Sequence, residues 1–182
     1  MGWQDRAYNQ DGGTGLRFGF VPPPPMALGL IVSCIFVFIL QQFSDDFFYR
    51  HFALSFIDGS PLIQLWKFVT YQYLHKDAIH IFWNLLGIYF FVPPLERLWG
   101  PKRTFAFYTA GGVAGGILFA MLHAVFPADD AFLVGASGSI LAALGACALL
   151  FPEQTVLLIV FPVPIRLLAV ILALFFTLTV IG

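Results

Sequence analysis

The chain has 182 residues, of which 59% are hydrophobic and only 10% are charged, and its mean hydropathy is +0.86. Soluble domains carry about 25% charged residues, so this composition excludes an ordinary water-soluble domain and indicates a single membrane-embedded one. The net charge of −1 excludes a basic surface for nucleic acid, and two cysteines in apolar runs, Cys34 and Cys147, exclude a disulfide framework.

The N-terminal 25 residues differ from the rest of the chain. They are polar and rich in glycine, and they end in four consecutive prolines at residues 22–25. They lack the positive start, apolar middle and small-residue cleavage site of a secretory signal. We therefore predict a cytoplasmic tail, residues 1–25, that ends in a stiff polyproline spacer and precedes a membrane domain, residues 26–182.

Five apolar segments follow the tail. A helix that spans a bilayer needs about 20 predominantly apolar residues, and five segments approach this length: residues 26–40, 78–95, 104–126, 134–151 and 165–181. Residues 157–164 are also apolar, but two prolines interrupt them, so we predict a turn packed at the membrane face. The predicted fold class is an all-α polytopic membrane protein.

Basic residues in the short loops predict the orientation. Cytoplasmic loops carry an excess of Lys and Arg. The loop after the third segment contains Asp129 and Asp130 and no basic residue. Basic residues lie instead in the tail and between the second and third segments, at Arg6, Arg17, Arg97, Lys102 and Arg103. This distribution predicts an integral, multi-pass protein with a cytoplasmic N-terminus.

The first loop, residues 41–77, is crowded with aromatic side chains that alternate with polar ones. Amphipathic aromatic segments favour the headgroup zone of a bilayer. We therefore predict that the first loop lies in the outer membrane interface.

Small residues predict close helix contacts. The third segment has glycines at 111, 112, 115 and 116, which form two small-xxx-small pairs. On the fourth segment, Gly138, Ala142 and Gly145 fall on one helix face, which predicts a central, tightly packed helix.

Polar side chains inside a membrane are costly and are therefore functional candidates. His75 lies at the start of the second segment, and His80 and Asn84 follow within it. The last two are spaced i, i+4 and so share one helix face. Interhelical hydrogen bonding without any chemistry is the alternative interpretation.

The fourth segment opens with Gly135-Ala136-Ser137-Gly138. Backbone N–H groups at the start of a helix are unpaired and can hold an oxyanion, and glycines let a substrate backbone approach closely. A serine there is also a common helix cap, which is the alternative interpretation. The residue order differs from the G-x-S-x-G elbow of soluble hydrolases.

The combination of these motifs resembles the rhomboid family of intramembrane serine proteases over residues 26–182. It consists of the spacing His75-x4-His80-x3-Asn84 followed by Gly-Ala-Ser-Gly two helices later. Trp66-Lys67 is similar to that family's Trp-Arg pair, with Lys replacing Arg, and Glu96 and Gly100 also fit. The resemblance implies a rhomboid-like helical bundle of which this chain holds five of six core helices.

The resemblance also implies roles for these residues. Ser137 would be the nucleophile, and His80, Asn84 and the Ser137 backbone N–H would stabilise the oxyanion. The supporting residues would be Gly135, Gly138, His75, Trp66 and Glu96. Substrates would be transmembrane proteins cut near the outer membrane face, with no cofactor or metal required.

The chain departs from the family pattern at the general base. Rhomboids carry that histidine in an Ala-His-x-x-Gly sequence on a sixth span, and no such sequence follows residue 165 here. We expect the native protein to continue into a sixth helix. Leu141 stands where relatives often place an aromatic residue that packs on the catalytic histidine.

Two alternatives differ in class. An inactive rhomboid-like protein would use the same fold to bind transmembrane segments without cleaving them, and intact Ser137, His80 and Asn84 argue against it. A metal or haem protein would use His75 and His80, but a spacing of i, i+5 predicts different helix faces. No H-E-x-x-H zinc motif exists in the chain.

Overall fold

The structure, a computed structural model, describes residues 22–56, 64–127, 131–158 and 161–181. The predicted tail lies almost wholly outside these residues, as do Asp129 and Asp130. The described parts contain seven α-helices: α1 Pro25–Gln41, α2 Asp45–Phe52, α3 Lys67–Thr70, α4 Ala78–Trp99, α5 Pro101–Val125, α6 Ser137–Leu150 and α7 Ile165–Ile181. A 3-10 turn, Tyr71–Tyr73, follows α3 directly. The predicted all-α membrane fold is confirmed.

Helices α4 and α5, with 22 and 25 residues, are long and apolar enough to cross a membrane. Three apolar helical segments are shorter, and these are Pro25–Gln41, Ser137–Leu150 and the first part of α7, Ile165–Leu174. At about 1.5 Å per residue, 14 residues of α6 extend about 21 Å, against about 30 Å for the hydrocarbon core. One end of α6 must therefore lie below the membrane surface if the other reaches it.

Helix α6 packs against α4, α5, α7 and the 3-10 turn, so the prediction of a central helix is correct. Glycine permits the closest approach, because a Cβ added to Gly115 would lie 3.4 Å from the Gly138 Cα. A Cβ on Gly111 would overlap that of Ala142. Gly145 has no described atom within 4 Å of such a Cβ, so its predicted place in this contact is wrong. The tight contact is confined to the first two turns of α6.

Two short antiparallel sheets complete the described fold. Strand β1, Leu54–Ser55, pairs with β2, Phe132–Leu133, and thereby ties the first loop to the segment before α6. Strand β3, Thr155–Leu158, pairs with β4, Phe161–Pro164. Residues 157–164 were predicted as a turn, but their described residues belong to the two strands of this hairpin. Prolines are tolerated in β4 because both strands of a two-stranded hairpin are edge strands.

The bounds of two helices differ from prediction at glycine and proline residues. Helix α4 continues through Pro93 and Pro94 to Trp99 and ends at Gly100, whose φ of 79° is unfavourable for other residues. Helix α5 begins immediately afterwards at Pro101, a favoured first helical position. The two longest helices are therefore joined by a single glycine.

Candidate active site

The segment before α6 is shaped by Gly135, which has a φ of 109°. Helix α6 consequently begins at Ser137, three residues later than predicted, with Ala136 as the N-cap residue and no side-chain cap hydrogen bond. Ser137 is therefore the first helical residue and not a helix cap, so the alternative interpretation of this serine is excluded. Within the part of the chain that the structure describes, its hydroxyl has no hydrogen-bond partner.

His80 and Asn84 meet at Gly135. A Cβ added to Gly135 would lie 2.7 Å from both Nε2 and Cε1 of His80 and 3.7 Å from Nδ2 of Asn84. The absence of a side chain at residue 135 therefore makes the space into which both groups point. The predicted shared face of His80 and Asn84 is turned toward the segment that carries Ser137.

Hydrogen bonds on α4 orient both side chains. The backbone N–H of Lys76 donates to His80 Nδ1 at 3.3 Å, so a neutral ring carries its proton on Nε2, the nitrogen that faces Gly135. The Asp77 carboxylate accepts from the His80 backbone N–H at 2.7 Å and caps the helix. Asn84 Nδ2 donates one proton to the His80 carbonyl at 2.8 Å and keeps its second proton available. The arrangement presents two N–H donors beside Gly135.

His75 precedes α4 and is not part of a helix, so the prediction that it lies on a different helix face from His80 does not apply. Its ring contacts that of His80 edge-on, with 5.3 Å between centroids. The backbone N–H donates to Gln41 Oε1 at 3.0 Å, and Gln41 Nε2 donates to the His75 carbonyl at 3.2 Å. His75 therefore fixes the end of α1 to the start of α4.

Burial and the charge of neighbouring His80 lower the pKa of His75 to about 4, although a bond to the Tyr73 carbonyl acts in the opposite direction. The ordinary histidine pKa is about 6.5. Between these values the unfolded chain binds a proton at this position and the folded chain does not. Stability is therefore fully present above about pH 6.5 and falls as the pH is lowered toward 4.

We expect the melting temperature of the full-length protein in detergent to fall more between pH 7 and pH 5 than that of His75→Asn. Asparagine retains a donor for the Tyr73 carbonyl, which His75 Nδ1 contacts at 3.2 Å, but does not titrate. Thermal unfolding of both proteins across this range measures the difference. Equal pH dependence would show that His75 does not titrate as described.

Trp66 and Lys67 belong to a different part of the molecule and anchor α2. Three side chains donate to three successive carbonyls at the end of this helix: Lys67 Nζ to Arg50 O at 2.7 Å, Trp66 Nε1 to His51 O at 3.0 Å, and Thr70 Oγ1 to Phe52 O at 2.9 Å. The last carbonyls of a helix lack partners within it. The pair therefore stabilises the first loop.

Glu96 lies near the opposite end of α4 from His80. Its two carboxylate oxygens accept hydrogen bonds from the backbone N–H groups of Met26 and Ala27, both at 2.9 Å. These are unpaired groups at the start of α1, where a negative charge is favourable. Glu96 thus joins α1 to α4 and takes no part in the geometry around Ser137.

Three residues near Ser137 were not predicted from the sequence, and these are Tyr71, Gln72 and Ser139. Gly135 N–H donates to the Tyr71 carbonyl at 2.9 Å, and Ser139 Oγ donates to Gln72 Oε1 at 2.8 Å. The available signal was a glutamine and a second serine close to the candidate motifs.

Among the described residues, no group of three or more His, Cys, Asp or Glu side chains is arranged to hold a metal.

Comparison with known proteins decides the family. The rhomboid domain family matches residues 63–182, which is more than half of the chain. The chain belongs to the rhomboid family. Its described helices are accordingly those of a rhomboid helical bundle, and the protein is a membrane protein.

Three named rhomboids are about 30% identical to this chain over their aligned residues. RHOMBOID-like protein 12, mitochondrial, of Arabidopsis thaliana is 30% identical over 162 residues, which are 81% of this chain and 48% of that protein. Rhomboid protease GlpG of Serratia proteamaculans (strain 568) is 30% identical over 123 residues, 68% of this chain and 42% of that protein. GlpG of Yersinia enterocolitica is 29% identical over 79 residues, 43% of this chain and 28% of that protein. This rhomboid chain thus covers less than half of the length of each relative.

Proposed function

We propose that this rhomboid is an intramembrane serine endopeptidase with Ser137 as its nucleophile. The observation that carries the proposal is the convergence of His80 Nε2 and Asn84 Nδ2 on Gly135. Gly135 lies two residues before Ser137, whose hydroxyl has no hydrogen-bond partner among the described residues. Membership of a family whose named relatives include proteases supports the same chemistry.

The proposed reaction is acyl transfer. Ser137 Oγ attacks the scissile carbonyl, and the oxyanion that forms accepts hydrogen bonds from His80, Asn84 and the Ser137 backbone N–H. Donors that are already oriented toward the developing charge each lower the barrier by about 3–4 kcal/mol in a site that excludes water. Gly135 keeps the approach free of a side chain, Gly138 lets α6 pack closely against α5, and His75 supports His80 by ring contact. The general base takes the Ser137 proton and passes it to the leaving amine as the intermediate collapses and the peptide C–N bond breaks. Water then hydrolyses the acyl-enzyme and restores the Ser137 hydroxyl.

The general base is proposed to be a histidine on a sixth spanning helix, as in the family pattern. Support comes from the α6 face that continues from Ser137 through Leu141, Gly145 and Leu149. A Cβ added to Gly145 would have no described atom within 4 Å, and Leu149 is 84% exposed.

Substrates are proposed to be transmembrane segments cut near the outer membrane face. The Glu96 bonds bring the start of α1 to the end of α4, so the basic residues Arg97, Lys102 and Arg103 lie on the same side as the start of α1. By the positive-inside rule this side is cytoplasmic. The other end of α4, which carries His80, then faces outward. The tail is proposed to comprise residues 1–25 and the membrane domain to begin at residue 26.

A serine-reactive fluorophosphonate probe tests the proposal on the full-length protein in detergent. We expect a single covalent adduct that mass spectrometry of peptides locates on Ser137, and its formation should slow when a transmembrane substrate is added. Heat-denatured protein is the control for nonspecific reactivity. No adduct, or one on another serine, would instead favour a rhomboid that binds transmembrane segments without cleaving them.

A further inference from the structure

We infer that the 3-10 turn Tyr71–Tyr73 is a clamp that positions the nucleophile, and that Gln72 is its principal positioning residue. The inference rests on the proposed function, because it concerns the geometry of Ser137. It assigns a role to two buried polar side chains, Gln72 and Ser139, which the chemistry proposed above does not use.

The clamp holds the chain on both sides of Ser137. Two residues before it, Gly135 N–H donates to the Tyr71 carbonyl at 2.9 Å. Two residues after it, Ser139 Oγ donates to Gln72 Oε1 at 2.8 Å. Consecutive residues of one turn therefore hold the two positions that flank the nucleophile.

The orientation of Gln72 is defined by partners at both ends of its amide. Its Nε2 donates to the carbonyls of Phe68 at 3.0 Å and Thr109 at 3.4 Å, which leaves Oε1 to accept from Ser139. Gln72 and Ser139 are both buried. The network thus joins the first loop, α5 and α6.

Gly112 makes room for this network. A Cβ added to Gly112 would overlap the side-chain amide of Gln72. The Gly112 carbonyl accepts a hydrogen bond from the Tyr71 hydroxyl at 2.6 Å. Tyr71 and Gln72 therefore both reach into the contact between α5 and α6, directly behind Gly138. The α5 surface is shaped to receive this turn.

The clamp matters because α6 has no side-chain cap of its own. The first turn of a helix is its least constrained part, since its N–H groups lack partners within the helix. One of those N–H groups, that of Ser137, is a proposed oxyanion donor. A displacement of about 1 Å in a catalytic group can slow a reaction about 100-fold, so bonds at residues 135 and 139 control the rate without contacting substrate.

Two substitutions release the clamp from α6. Ser139→Ala removes the donor to Gln72, and Gln72→Met removes the acceptor while keeping a similar side-chain length. We expect each to lower kcat for a transmembrane substrate by about 10- to 100-fold, with KM changed by less than about 3-fold. Both substitutions remove the Ser139–Gln72 hydrogen bond, and Gln72→Met also removes the two that Nε2 donates, so the double variant should be no slower than Gln72→Met.

Thr104→Val is the matched control. Thr104 is a buried residue in the first turn of α5 whose hydroxyl donates to the Gly100 carbonyl at 2.9 Å, and it precedes Gly111 and Gly115, which contact α6. The Thr104→Val variant loses a buried hydroxyl, as Ser139→Ala does, but it should retain kcat. Titration with the fluorophosphonate probe gives the folded, reactive fraction of each variant, to which kcat is normalised.

The outcomes distinguish failure of the clamp from failure of the proposed protease function. If the wild type cleaves, Ser137→Ala does not, and Ser139→Ala and Gln72→Met retain normalised kcat, the clamp is refuted and the protease stands. The clamp is refuted equally if the loss of kcat in Ser139→Ala and Gln72→Met equals their loss of probe-reactive protein, or matches the loss in Thr104→Val. The Gln72–Ser139 bond would then serve folding alone. If Ser137→Ala still cleaves, the proposed function fails and the clamp fails with it.

Discussion

Ser137→Ala is expected to reduce cleavage of a transmembrane substrate by the full-length protein at least about 1,000-fold, because covalent catalysis has no substitute nucleophile. The Ser137 hydroxyl makes no hydrogen bond within the described residues and caps no helix. Its removal should therefore leave the melting temperature and cellular abundance unchanged. Cleavage assays with purified protein in lipid vesicles measure the effect.

Ser33→Ala provides the matched control for this substitution. The same atom is removed from α1, where Ser33 Oγ donates to the Gly29 carbonyl at 2.7 Å, and activity should be retained. Retained cleavage in Ser137→Ala would refute the assignment of the nucleophile. Loss of abundance together with activity would instead indicate that the serine is needed for folding.

Gly135→Ala is expected to lower kcat/KM by at least about 100-fold, for two independent reasons. A φ of 109° lies in a region that residues with a Cβ rarely adopt, and such strain costs about 1–3 kcal/mol. The new Cβ would also lie 2.7 Å from His80 Nε2, a separation that requires the imidazole or the residue 135 segment to move. Either movement separates the oxyanion donors from the nucleophile.

Gly29→Ala is the control for a glycine substitution on a helix. A Cβ at Gly29 has no described atom within 4 Å, and Ala favours helix by about 1 kcal/mol over Gly. This variant should be active and at least as stable as the wild type. Unchanged kcat/KM in Gly135→Ala would show that the space beside Gly135 is not where the oxyanion forms.

The local pattern was sufficient to predict the helices and part of the site. Apolar segments that approach membrane-spanning length predicted five helices, and the i, i+4 spacing placed His80 and Asn84 on one face. These features depend on the 3.6-residue period of a helix and on the cost of burying polar groups in hydrocarbon, both of which act locally. The start of α6 was predicted three residues early, because the sequence does not reveal the φ of Gly135.

Other site features required the tertiary structure. Lys67 and Trp66 cap α2, which precedes them by about 15 residues, and Glu96 caps α1 from 69 and 70 residues away. An unpaired backbone group can be satisfied by any side chain that the fold brings near, so sequence separation carries no information about the partner. The hairpin of β3 and β4 was missed for a related reason, because prolines argue against a strand only when both of its edges are paired.

The sequence by itself determined that the protein is a helical membrane protein, that His80 and Asn84 share a helix face, and that a serine between glycines opens a later helix. Composition and helical periodicity decide these points without reference to distant residues. Only the tertiary structure decided that His80 and Asn84 meet at Gly135 and that Tyr71 and Gln72 hold the residues on either side of Ser137. Those contacts join segments 50 to 70 residues apart, and they form only because α4, α5 and the first loop pack around α6.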